Sequence, residues 1–189
     1  MILTDLKELE KLDAARRQPS LCLMNFSLVE TLQNLWTSHF EDIKILPEVF
    51  FIDRGPLACI YLQTGRPTIY VHSLLNHPAT PKAVISLVCK HELLHVRIPP
   101  REVEGRLRQH PPEFWEAERS LAPEQNEAWE WVWRARGQWL RLRPRLERID
   151  VRRNWKEVWD TRDWPVKTED IFPKSLRVEL MRSKGRFYL

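Results

Sequence analysis

The segment TPKAVISLVCKHELLH, residues 80–95, constrains the fold more than any other part of the chain. Val84, Val88, His91 and His95 recur at i, i+4, i+7 and i+11, so a helix here carries both imidazoles on its inward apolar stripe. Inward imidazoles need partners, because a buried polar nitrogen left without one costs about 1–3 kcal/mol. Two histidines four residues apart stand over one another on one face, within reach of a single Zn²⁺ at about 2.0–2.1 Å per nitrogen. Glu92 is turned by about 100° from His91, beside such an ion rather than on it, where it can take a proton from water on the metal. Thr80 reads as the N-cap and Pro81 as the first helical residue, where a missing N–H costs nothing.

The flanking segments predict an α+β fold. LTDLKELEKLDAARR has leucines at helical spacing, and SLVETLQNLW opens with Ser27 and Glu30 in capping-box positions, predicting a second helix over about residues 27–40. IKILPEVFFID and LACIYLQTGRPTIYVHSLL are rich in β-branched and aromatic residues and are broken at Gly55-Pro56 and Thr64-Gly65. They read as two or three strands with a hairpin near Gly65. Pro99, Pro100, Pro111 and Pro112 bracket a loop. PEFWEAERSL and PEQNEAWEWVWRARGQWLRL (residues 123–142) follow as helices, each begun by a proline. Beyond Pro144 the pattern dissolves into mixed charge and tryptophan. The expected organisation is a core over residues 1–122 and a mostly helical C-terminal extension over 123–189 packed on it.

TIYVHSLLNHPATPKAVISLVCKHELLH and QHPPEFW together resemble the SprT-like and YgjP-like zinc metallopeptidases, small zincins in which a strand leads into an HExxH helix and a later histidine precedes an aromatic pair. The resemblance covers about residues 45–120. The HExxH string is shared by many zincins, and His110 followed by Phe114-Trp115 points to this branch. The resemblance implies a small zincin-like fold, with His91, His95 and His110 as ligands of Zn²⁺. It also implies Glu92 as general base in the hydrolysis of peptide bonds by a zinc-activated water. Fourteen residues separate His95 from His110. From the residues alone Glu113, Glu116 and Glu118 stay open as third ligands, since a downstream helical glutamate also completes a two-His, one-Glu sphere. His72 and His77 read as turn residues flanking the motif, with His72 also a candidate for lining the cleft. PTIYVHSLL reads either as an edge strand, to which an extended peptide substrate could add, or as an ordinary core strand.

Composition narrows the setting. Residues 134–189 carry 16 Lys and Arg against 8 Asp and Glu, leaving 14 against 18 in residues 1–133, so the basic charge belongs to the C-terminal third. Seven of the nine tryptophans fall between Trp129 and Trp164 among those arginines. Aromatic platforms beside basic side chains suit single-stranded nucleic acid, which makes a nucleic-acid-binding module with a structural or non-catalytic zinc the alternative to a peptidase. The blander reading packs Trp129 and Trp133 on the core and leaves the arginines solvated. Cys22, Cys59 and Cys89 are widely spaced and include no CxxC pair, so reduced thiols are expected. Cys89, two residues from His91, points away from it on a helix. With neither a signal-peptide pattern nor an apolar run of about 18 residues, the expected location is cytoplasmic.

Overall fold

A computed structural model describes residues 22–62, 65–144 and 147–156; the helix expected over residues 3–17 lies outside them. Helix α1 (Leu28–His39) opens as its sequence dictates. Ser27 is extended, and its Oγ accepts the Glu30 N–H at 3.2 Å. Leu28, Thr31 and Leu32 turn inward.

Three strands follow: β1 (Glu48–Ile52), β2 (Ala58–Tyr61) and β3 (Thr68–His72). Gly55, at φ 114°, makes the turn after β1 in a conformation that costs glycine little. The hairpin expected near Gly65 joins β2 to β3 antiparallel, and β1 lies parallel to β3 on its other side. The sheet order is thus β1-β3-β2, with β3 in the centre and buried along its whole length. This corrects the edge-strand reading of PTIYVHSLL. TIYVH has few polar positions because both faces of that strand are covered. The outer strands are β1 and β2, and β2 packs against the HExxH helix.

That helix, α2 (Lys82–Arg97), starts later than expected. Pro81 is extended at the N-cap, and the buried Thr80 Oγ1 has no hydrogen-bond partner among the described residues. The Thr80 N–H is already tied to the His77 carbonyl at 2.9 Å, closing the preceding turn, and a residue before proline avoids helical backbone. From Leu87 to His95 every residue of α2 is buried. A helix buried on every side belongs at the centre of a molecule, and the polar residues within this stretch, Lys90, His91, Glu92 and His95, are buried with the rest.

The loop expected between the proline pairs contains a short hairpin, β4 (Arg101–Val103) and β5 (Arg106–Arg108). Glu104 and Gly105 turn it with φ 53° and 72°, both left-handed as a two-residue hairpin turn requires. Glu-Gly is a weaker signal for that turn than Asn-Gly, and the sequence reading missed it. Helix α3 (Pro112–Leu121) carries Pro112 in its first turn, as expected.

Helix α4 (Gln125–Arg136) stops short of Leu142. A 3₁₀ turn at Gly137–Trp139 leads into β6 (Leu140–Arg143), which pairs antiparallel with β7 (Arg148–Val151). The described part of the extension is therefore one helix and a hairpin, not mostly helical. The reason lies in LRLR, whose period of two suits a strand once Gly137 has ended the helix. Trp129 and Trp133 are buried on one face of α4, and Arg134 stays exposed beside Glu130 at 2.6 Å. Ala128, Val132, Trp139, Leu140, Ile149 and Trp155 join the same apolar cluster as α1, α2 and the sheet. Among the described residues no helix is long and apolar enough to cross a membrane. The three cysteines form no disulfide among the described residues, with Cys59 and Cys89 buried and Cys22 exposed.

Candidate metal centre

One turn apart on α2, His91 and His95 face the start of α3, where His110 arrives just before Pro111. The three offer one nitrogen each within 4.8 Å of one another, and all three are buried. Phe114 holds the cluster from α3, its ring centroid 5.0 Å from His91, 4.7 Å from His95 and 4.8 Å from His110. Trp115 lies against His110 with ring centroids 4.8 Å apart and planes tilted by 40°. The Phe-Trp pair thus fixes the ring planes of the imidazoles that precede it.

Two carboxylates assign the tautomers. His91 Nδ1 lies 2.6 Å from Glu118 Oε1, and His110 Nδ1 lies 3.3 Å from Glu147 Oε2. A carboxylate oxygen accepts, so each Nδ1 carries the proton and each Nε2 keeps its lone pair. Those two Nε2 atoms face each other at 3.1 Å. Two nitrogens bound to one tetrahedral zinc at about 2.0–2.1 Å stand about 3.3–3.4 Å apart, so the spacing suits a shared cation. His95 makes the same point differently, since neither of its ring nitrogens has a hydrogen-bond partner among the described residues although the residue is fully buried. Burial, with the neighbouring imidazoles, pushes His95 and His110 below the ordinary histidine range, leaving them neutral donors. The residues present fit a divalent metal ion.

The partners of these histidines are themselves held. Glu118 is fully buried, and its Oε2 accepts from Gln125 Nε2 at 2.5 Å. Glu147 Oε2 also accepts the His110 backbone N–H at 3.3 Å, while its Oε1 meets Arg108 at 3.2 Å. Carboxylates behind metal-binding imidazoles set the tautomer and raise ligand basicity. Glu92, buried, lines a cavity of about 40 Å³ together with His91, His110, Ala58, Glu147 and Ile149. That is room for about two or three waters.

The structure brings together His91, His95 and His110, with Glu92 beside them. The three glutamates kept open as ligands go elsewhere: Glu113 pairs with Arg101 at 2.8 Å, Glu116 is exposed, and Glu118 stands behind His91. Among the described residues no fourth His, Cys, Asp or Glu joins the cluster. His72 is no exposed turn residue. It is fully buried, Trp155 stands edge-on at 5.1 Å, and its Nδ1 accepts the Leu74 N–H at 3.0 Å. Nor does it line the cavity. His77 is half-buried in its turn and accepts the Ala79 N–H. Cys89 is buried away from the cluster, with burial pushing its thiol up to about 12.

Of the C-terminal tryptophans, Trp129, Trp133, Trp139 and Trp155 are in the core, and Trp131 is partly buried under the Arg136 guanidinium at 4.9 Å. Trp159 and Trp164 lie outside the described residues. Sequence reasoning missed Glu147, whose only local signal is an acidic residue between basic ones.

No family model matches the chain, and no curated protein or solved structure is significantly similar to it.

Proposed function

We propose that the protein is a zinc-dependent metallopeptidase of the HExxH kind. One observation carries the reading: three buried imidazoles converge, no fourth ligand joins them among the described residues, and Glu92 shares a cavity with His91 and His110. A structural zinc is normally closed by four protein ligands, whereas three histidines leave a position for water or substrate. His91, His95 and His110 would hold the zinc, which when bound would supply Lewis acidity toward a scissile carbonyl and a water of near-neutral pKa.

Glu92 takes the proton of the attacking water and delivers it to the leaving amine. Glu118 keeps His91 Nδ1 protonated, which reserves Nε2 for the metal. Phe114 and Trp115 keep bulk water from the imidazoles. β2 is an outer strand of the sheet, and Ala58 at its start lines the cavity beside Glu92, which places the cavity mouth at that end of the strand.

The test compares wild type with Glu92→Gln, measuring zinc by mass spectrometry and cleavage across a peptide library with and without chelator. Both forms should hold zinc, and the variant should cut about 10²- to 10⁴-fold more slowly. Equal rates would remove the role given to Glu92. A wild type that holds zinc through a fourth protein ligand and cuts nothing would end the peptidase reading.

A further inference from the structure

The two carboxylates behind the histidines are built differently. Glu118 sits inside a helix, fully buried, with short contacts of 2.6 Å to His91 and 2.5 Å to Gln125. Glu147 stands at the start of β7, its side chain 22 % exposed, with contacts of 3.2–3.3 Å to Arg108 and His110. Its backbone is left-handed at φ 47°, a conformation that costs a non-glycine residue on the order of 1 kcal/mol and persists where its surroundings impose it. What imposes it is visible on both sides. The Glu147 N–H reaches the Pro144 carbonyl at 3.2 Å, and β7 is docked on the chain leading into β2. There the Leu57 N–H donates to the Ile149 carbonyl at 2.7 Å and the Val151 N–H to the Gly55 carbonyl at 2.9 Å, around a Pro56–Asp150 bridge.

We propose that Glu147 is a positioning residue for His110, through which the docking of β7 on β2 and the hold on the metal ion form one linked equilibrium. The proposal rests on the metal-centre reading above and concerns its regulation. When β7 is docked, the carboxylate lies against both the ring Nδ1–H and the backbone N–H of His110, which orients the imidazole and sends its Nε2 toward His91. A cation at the three nitrogens draws charge from the imidazole and strengthens the Nδ1–H donor, so the contact to Glu147 tightens and β7 with it. Linkage makes the effect reciprocal: whatever factor the metal adds to docking, docking adds to metal affinity. Glu118 has no such freedom, since both its contacts lie within the core.

The experiment uses the full chain and Zn²⁺ alone. Zinc affinity is measured by competition with a chromophoric chelator for wild type, Glu147→Gly and Glu147→Gln, and amide exchange at Leu57 and Val151 is followed with and without zinc. Glycine suits φ 47°, so it removes the carboxylate without straining the backbone, and urea unfolding of the zinc-free variants reads separately what the lost acceptor costs the fold. Glu147→Gly should bind zinc about 10- to 100-fold more weakly, with Glu147→Gln in between because it keeps an acceptor. Zinc should slow exchange at Leu57 and Val151 in wild type by a similar factor, and far less in Glu147→Gly. Wild-type zinc affinity in Glu147→Gly, or wild-type exchange at those amides that zinc leaves unchanged, overturns the linkage while the metal centre stands. A wild type that binds no zinc overturns both.

Discussion

Replacing Glu118 by alanine tests the buried support of the centre in a protein without metal. Glu118 is fully buried and satisfies two donors that are themselves buried, His91 Nδ1–H at 2.6 Å and Gln125 Nε2–H at 2.5 Å. Alanine removes the acceptor from both. Each orphaned donor costs about 1–3 kcal/mol, so Glu118→Ala should lower stability by about 2–6 kcal/mol, a large part of the 5–15 kcal/mol typical of a folded domain. Glu118→Gln presents an oxygen to only one of the two donors and should fall about halfway. Urea unfolding of zinc-free protein, followed by tryptophan fluorescence and circular dichroism, reads both values. Zinc affinity in the same proteins should drop by about 10- to 100-fold with alanine, as His91 loses its fixed tautomer. A zinc-free Glu118→Ala that unfolds within 0.5 kcal/mol of wild type, on the scale of an ordinary surface change, would show that the Glu118 contacts do not carry the support assigned to them.

His95→Leu should act with opposite signs on two properties: it abolishes zinc binding, yet raises zinc-free stability by about 1–3 kcal/mol because two buried nitrogens without partners among the described residues are removed. Paired urea and zinc titrations decide this, and a zinc-free variant less stable than wild type refutes it. His72 gives a pH signature. Burial holds it down to about 3, below its unfolded value of about 6.5, so the unfolded chain binds the proton more readily. Its contribution to stability is complete above about pH 6.5 and is lost as pH falls toward 3, at up to about 1.4 kcal/mol per pH unit. His72→Asn keeps an acceptor for the Leu74 N–H without the titration, and should show a shallower decline in urea stability from pH 7 to 5; identical slopes in the two proteins refute the assignment.

The inner part of the centre was legible because it is local. His91 and His95 share a helix face by spacing alone, and their burial follows from the apolar stripe of Val84 and Val88. His110 needed the aromatic pair beside it, and the contacts of Phe114 with all three imidazoles give that signal a physical meaning. The outer part depends on long-range placement. Glu118 reads in sequence as a possible ligand, and only its distance to Nδ1 puts it one step further out. Glu147 lies 37 residues beyond His110 in a stretch without periodicity, where nothing local announces it. The same limit explains the sheet: TIYVH has one pattern whether it lies at an edge or in the centre, and what decides is how β1 and β2 pair with it. Similarly, LRLR became a strand because β7 offered it a partner.

The burial of α2 on every side has a consequence in time. Part of its covering comes from Trp129, Val132 and Trp133, roughly forty residues downstream of His95, and at about 5–20 residues per second a ribosome needs about 2–8 s to make that stretch. For those seconds the nascent chain carries a helix with an uncovered apolar flank, a target for chaperones and a hazard for aggregation. Glu147, the carboxylate behind His110, is made later still. A translation product cut short before α4 therefore contains all three histidines with Phe114 and Glu118, but lacks the tryptophan cover over α2 and the Glu147 carboxylate behind His110.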